Sequence, residues 1–170
     1  VTLKGRIYLI KAGVGSPEIG IVLSNNRKIT CSCSPDLEDS IKEFSPDSLV
    51  EVVGEATSDP GGHIDHISLV DITSISLAPL YLSRITLDHK IYQLSEKIAL
   101  KFDMHDDLYT YEYEPLRILA YGNTRREALD YFKEEFDNIH DFIAQKNDNE
   151  LAQDALDIKR KIIKLVSKVT

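Results

Sequence analysis

The sequence predicts an α+β protein of two small domains. The first is a five-stranded β-barrel with one short helix. The second is a small β-sheet domain that ends in an antiparallel helical hairpin. Three observations support this: short alternating segments up to about residue 75, a capped strand-to-helix junction near Gly122, and two apolar stripes of helical spacing at the end. A length of 170 residues accommodates two such domains.

Five strands are predicted in the first half, because apolar and polar residues alternate there between clusters of Gly, Pro, Ser and Asn. A short helix is predicted between the third and fourth strands. It has Pro35 at its first position and places Leu37, Ile41 and Phe44 on one face. The predicted strands cover residues 2–10, 19–23, 28–34, 48–56 and 64–75.

This order of three strands, one helix and two strands resembles the OB-fold. The segments LVEVVGEA (49–56) and ISLVDI (67–72) are similar to the last two strands of such barrels. The resemblance implies that residues 1–78 close into a small, partly open barrel, with the helix covering one end.

The second domain is predicted over residues 83–170, after a linker at 76–82 that contains Pro79. Its predicted strands cover residues 85–94, 97–103, 108–114 and 117–121. Helices are predicted at 125–145 and 150–168. The first stripe is Leu129, Phe132, Phe136, Ile139 and Ile143. The second is Leu151, Ala155, Ile158, Ile162, Leu165 and Val169.

The junction between the last predicted strand and the first long helix has a defined chemistry. Gly122 ends the strand, Thr124 is a typical N-cap, and Glu127 stands three residues later to close a capping box. With Ala128 and Leu129, these residues resemble the HicB-type antitoxin domain. The resemblance implies a sheet packed on helices and a surface that binds and masks a protein partner. It covers about residues 97–136 and includes no DNA-binding module.

Charge and composition bound the function. Apolar residues make up 42 % and charged residues 28 % of the chain, with a net charge of −8. Residues 1–80 carry 6 basic and 11 acidic side chains, and residues 81–170 carry 14 and 17, so both halves are acidic. Nucleic acid is therefore an unfavoured partner. No apolar run is long enough for a membrane span. The two cysteines, one residue apart, indicate a reduced, cytoplasmic setting.

No cofactor or metal is predicted. Cys31 and Cys33 would share one strand face, but His63 and His66 would point in opposite directions, so the four do not form a tetrahedral zinc set. The loop at Gly13 and Gly15 is followed by no helix that could bind phosphate.

No enzyme activity is predicted either. The dipeptides His105-Asp106 and His140-Asp141 are typical of metal phosphohydrolases, but the other ligands of that chemistry are missing.

A row of tyrosines is the predicted partner-binding feature. Tyr109, Tyr111 and Tyr113 share one strand face, which is either covered by the helices or exposed as an interaction surface. The interaction hypothesis adds Arg117 and Tyr121 to the site.

The leading functional prediction is thus a non-enzymatic intracellular protein-interaction module. We expect it to form a homodimer or to bind a basic protein partner. The alternative is a nucleic-acid-associated regulator that uses the barrel. That alternative requires aromatic platforms in a basic groove, whereas residues 1–80 contain Tyr8 and Phe44 as their aromatic residues and are net acidic.

Overall fold

The structure, a computed structural model, describes residues 1–13 and 15–170. The chain divides into two compact units, Val1–Ser76 and Leu77–Thr170. Each unit has its own sheet, so the two are described separately below.

The first unit is a closed five-stranded barrel, which confirms the predicted architecture. Its strands are β1 (Thr2–Lys11), β2 (Glu18–Val22), β3 (Lys28–Cys33), β4 (Leu49–Ser58) and β5 (Ile64–Ser74). They close in the order β1-β2-β3-β5-β4. The pair β3–β5 is parallel and the other pairs are antiparallel. A short 3-10 turn (Pro35–Leu37) and helix α1 (Glu38–Lys42) connect β3 to β4.

Alternation along the strands builds the barrel interior. Every second residue of β2 and β3 buries an aliphatic or thiol side chain, and Ile41 of α1 is fully buried in the same cluster. Leu37 and Phe44 pack against this cluster, so the predicted apolar face of the short helix does cover the core. Each such burial contributes roughly 2 kcal/mol. The members of the cluster include Ile7, Ile19, Ile21, Ile29, Cys31, Cys33, Val50, Val52, Ile67 and Leu69.

The second unit is organised around one long strand, β7 (Lys90–His105). β6 (Leu80–Leu87) pairs with it from Lys90 to Leu100. β8 (Leu108–Tyr113) pairs with the end of β7, and β9 (Ile118–Gly122) pairs with β8. A final strand, β10 (Val166–Val169), pairs with the start of β7.

Two details of this sheet differ from the prediction. The segment predicted as a linker becomes strand at Leu80. The segment predicted as one strand at 85–94 is in fact the hairpin of β6 and β7, with its turn at Asp88 and His89. The predicted break near Ser95 corresponds to an irregularity in register, where residues 94–97 of β7 lie opposite Ser83.

The first long helix begins as predicted. α2 (Arg125–Ile139) has Thr124 as its N-cap, whose Oγ1 accepts a hydrogen bond from the Glu127 backbone N–H at 3.1 Å. The Glu127 carboxylate turns back to the backbone N–H of Asn123, at 2.8 Å, one residue before the expected position. Phe132 and Phe136 of the predicted stripe are fully buried.

The end of the chain departs from the predicted helix at 150–168. After α2 come a π-helical segment (His140–Ala144) and a 3-10 turn (Asp148–Glu150), and α3 covers Gln153–Leu165. The residues from Val166 onward form β10 instead, because pairing with β7 satisfies their backbone groups and suits the β-branched Val166 and Val169. Val169, predicted on the buried stripe, is 43 % exposed.

Candidate functional site

Two of the five predicted partner-binding residues are core side chains. Tyr109 and Tyr111 are 8 % and 6 % exposed, on the sheet face that α2 covers. Their rings pack on Phe102, with centroid distances of 5.8 and 5.1 Å. Arg125 lies over the Phe102 ring, with its Cζ 4.4 Å from the centroid. Of the alternatives for the tyrosine row, the structure favours cover by the helix for these two residues.

The other three predicted residues keep contact with solvent. Tyr113 is half-buried, and burial raises the pKa of its hydroxyl. Arg117 is exposed in a left-handed conformation (φ 56°), with Nη1 3.4 Å from Asp154 Oδ2. Tyr121 is 54 % exposed, and its ring packs 5.2 Å from that of Tyr131 on α2. These residues do not form one cluster with Tyr109 and Tyr111.

The outer face of the sheet, opposite the buried tyrosines, carries an apolar patch that the sequence analysis missed. Leu119 is 58 % exposed and Tyr121 lies two residues further along the same face of β9. The register places Leu119 beside Glu112, and Tyr121 beside the buried Thr110. We call Leu119 and Tyr121 the β9 patch. Residues 118–122 read Ile-Leu-Ala-Tyr-Gly, with no alternation of polar and apolar types, so the sequence carries no signal that separates the exposed Leu119 and Tyr121 from their buried neighbours.

β9 is also the last strand of its sheet. β8 is its strand partner, and within residues 1–13 and 15–170 no other backbone or side-chain hydrogen bond reaches the backbone of 118–122. An edge of this kind presents N–H and C=O groups that a further strand could pair with. The β9 patch therefore stands next to backbone groups with which no other described strand pairs.

The sequence analysis also missed a polar cluster, because its members lie 45 to 51 residues apart. Lys90 Nζ donates to Asp137 Oδ1 at 2.7 Å and to both carboxylate oxygens of Asp141 at 3.0 and 2.9 Å. The Tyr92 hydroxyl donates to the same Asp137 oxygen at 2.5 Å. His140 Nδ1 lies 3.3 Å from Asp141 Oδ1, and its ring packs edge-on against Tyr92.

The pKa shifts of Lys90, Tyr92 and Asp137 follow from their burial and their hydrogen bonds to one another. Burial alone would lower the pKa of Lys90, but its hydrogen bonds to Asp137 and Asp141 outweigh burial and raise it. Burial and the bond to Asp137 raise the pKa of Tyr92 to about 12. Against the effect of burial, the bonds from Lys90 and Tyr92 lower the pKa of Asp137. An acid–base catalyst needs a pKa near neutrality, and these groups are displaced away from it.

The cysteines and histidines considered for zinc do not come together. Cys31 is buried in the barrel interior, where burial and the neighbouring Cys33 raise the pKa of its thiol to about 12. His66 lies on the outside of the barrel, with Nε2 2.9 Å from Ser32 Oγ. Zinc binds thiolates, which these thiols resist forming. Within the part of the chain that the structure describes, no three His, Cys, Asp or Glu side chains are grouped to hold a metal ion.

No protein-family model matches the chain, and no curated protein matches it at a significant level. Among the described residues, no helix combines the length and the apolar character that a membrane span requires.

Proposed function

We propose that this chain is a non-enzymatic protein-interaction module that acts in the cytoplasm, similar to the partner-binding half of a HicB-type antitoxin. The observation that carries the proposal is the β9 patch on an open sheet edge. An extended segment of a partner would hydrogen-bond to β9 and cover Leu119 and Tyr121 with its own side chains.

Charge supports the proposal and indicates the kind of partner. Glu112 lies beside Leu119 in the strand register, and the acidic residues Glu135 and Glu134 lie near Tyr131, whose pKa they raise. A basic partner would be drawn to this side of the unit. The partner is either such a protein or a second copy, in which antiparallel pairing of β9 with itself would bring Leu119 opposite Tyr121.

Reduced cysteines support the cytoplasmic assignment. Cys31 and Cys33 are both free and buried in the barrel. Burial keeps both thiols protonated and unreactive, which fits a compartment in which disulfides do not form.

Sedimentation and light scattering of the full chain, alone and with proteins captured from its native host, test the proposal. Leu119→Asp should abolish self-association or capture, because it places a charge in the centre of the interface. Ile163→Asp is the matched control, since Ile163 is 54 % exposed, close to the 58 % of Leu119, but lies on α3 and not on β9. A strict monomer at high concentration that captures no partner would contradict the proposal, and so would equal effects of the two substitutions.

A further inference from the structure

The charges of the barrel are segregated along its sequence. Residues 1–33, which contain β1, β2 and β3, carry five basic side chains (Lys4, Arg6, Lys11, Arg27 and Lys28) and one acidic side chain, Glu18. Residues 34–80 carry one basic and ten acidic side chains. The net negative charge of residues 1–80 is therefore the sum of a basic segment, residues 1–33, and a strongly acidic segment, residues 34–80. Nucleic acid is unfavoured as a partner by that net charge, but not by the charge of residues 1–33.

The outer face of β1, β2 and β3 also holds an accessible aromatic ring. Tyr8 is 39 % exposed and lies flat on Gly20 of β2, so close that a Cβ at Gly20 would stand 2.6 Å from the ring. Lys28 of β3 places its Nζ 5.0 Å from the ring centroid. The Tyr8 ring thus packs directly against the backbone of Gly20, in space that any larger residue would fill.

Three cations of residues 1–33, Arg6, Arg27 and Lys28, form no ion pair with a carboxylate of the described residues. The hydrogen bond from the His63 backbone N–H lowers the pKa of the Asp59 carboxyl, and Arg27 lies close enough to lower it further. Arg6 Nη1 donates to the Asp47 carbonyl at 3.2 Å, and Arg27 Nη2 donates to the Ile64 carbonyl at 2.7 Å. None of the ion pairs formed by the described residues involves Arg6, Arg27 or Lys28. The one acid of the segment, Glu18, is already paired with Lys11 at 2.7 Å.

The register brings these groups to one surface. Arg6 of β1 pairs with Val22 of β2, and Val22 pairs with Lys28 of β3, so the two cations lie in one row across three strands. Tyr8 and Gly20 occupy the neighbouring row. Adjacent strands are about 5 Å apart, which places the Cα atoms of Arg6 and Lys28 roughly 10 Å from each other on the face that carries the ring.

From this arrangement we infer that the outer face of β1–β3 binds single-stranded nucleic acid. An unpaired base stacks on Tyr8, and Arg6, Arg27 and Lys28 contact the flanking phosphates. Lys28 leaves the ring for a phosphate when the base enters. A duplex offers no free base face to the ring, so the ligand is a single strand. This site lies in the first unit and is independent of the β9 patch.

Fluorescence anisotropy of a labelled oligothymidine of about 12 nucleotides, titrated with the full chain, tests the inference. We expect a dissociation constant of about 1–100 µM at about 50 mM salt. Three phosphate contacts predict a slope of about −2 in the logarithm of the binding constant against the logarithm of salt. A duplex of the same length should bind at least about fivefold more weakly.

Substitutions distinguish binding at this specific site from nonspecific attraction of the oligonucleotide to positive charge. Lys28→Glu should weaken binding about tenfold and make the salt slope shallower by about one. Lys42→Glu is the control with the same charge change, on the acidic side of the barrel and 49 % exposed, and it should change binding less than about twofold. In Gly20→Ala the added methyl group displaces the Tyr8 ring from the sheet. We expect base stacking, and so binding, to weaken about fivefold, while the salt slope stays unchanged.

Three results would overturn the inference. One is no change in anisotropy up to about 200 µM protein at low salt. Another is an equal loss of affinity in Lys28→Glu and Lys42→Glu. The third is a duplex bound as tightly as the single strand, which would indicate general attraction of a polyanion to the barrel.

Discussion

Replacing Lys90 with methionine tests the importance of the polar cluster for the second unit. The substitution keeps most of the side-chain length but leaves Asp137 and Asp141 without their cation. Removing one partner of a fully buried ion pair costs about 3–5 kcal/mol. Here the Lys90 and Asp137 side chains are 19 % and 17 % exposed and Asp141 is 41 % exposed, so water recovers part of that loss. We expect Lys90→Met to lower the free energy of unfolding by about 2–3 kcal/mol.

Urea and thermal unfolding, followed by the near-UV circular dichroism of tyrosine, measure this loss. Seven of the eight tyrosines lie in the second unit, so the signal reports mainly on that unit. For a unit of this size, the expected loss corresponds to a fall in Tm of about 10 °C or more. Lys101→Met on the same strand is the control. Its ion pair with Glu112 is 69 % and 43 % exposed, so we expect less than about 0.5 kcal/mol.

The difference in free energy of unfolding between wild type and Lys90→Met should depend on pH, which gives a second check. The pKa values of Asp137 and Asp141 are lowered in the folded state from their usual 3.8. Their contribution is therefore complete above that value and is lost as the pH falls through the folded-state pKa. Wild type and Lys90→Met should converge in stability between about pH 4 and pH 2. Equal stabilities at neutral pH would refute this reasoning, as would a difference of unchanged size at about pH 2.

Three further predictions concern the folding of the two units. Phe136→Asp should cost about 4 kcal/mol or more in urea unfolding, since it places a charge among fully buried rings, and a Tm within about 2 °C of wild type would contradict this. Thr124→Ala should cost about 1 kcal/mol in the same assay through loss of the helix N-cap, and Thr124→Ser should restore most of it. Cys31 and Cys33 should resist a thiol reagent in the native protein at about pH 8 and react with it in urea, because burial raises both pKa values.

Periodicity was sufficient to predict the five strands and the short helix of the first unit, because the strands alternate cleanly and are separated by strong turn residues such as Pro60 and Gly61. Their closure into a barrel was implied by the resemblance of this order to the OB-fold, and the structure confirms it. The hairpin at Asp88 and His89 was missed, because that turn contains neither glycine nor proline. β10 was missed because Val169 continues the helical stripe of α3, and only the pairing with β7 selects a strand there.

The candidate sites show where sequence reasoning ends. The shared face of Tyr109 and Tyr111 was predictable from strand geometry, but its cover by α2 depends on packing. The contact of Lys90 with Asp137 joins positions 47 residues apart, and no local pattern predicts such a contact. The basic half of the barrel was visible in the sequence, and counting charge strand by strand would have found it.

β7 takes part in three of the four strand pairings of the second unit. The β7 amide hydrogens that bond to a neighbouring strand should therefore exchange with solvent only when the sheet opens, whereas those at the outer side of β9 should exchange through small local fluctuations. We therefore expect slow amide exchange at β7, in the middle of the sheet, and fast amide exchange at the β9 edge. The proposed addition of a partner strand at β9 requires both properties.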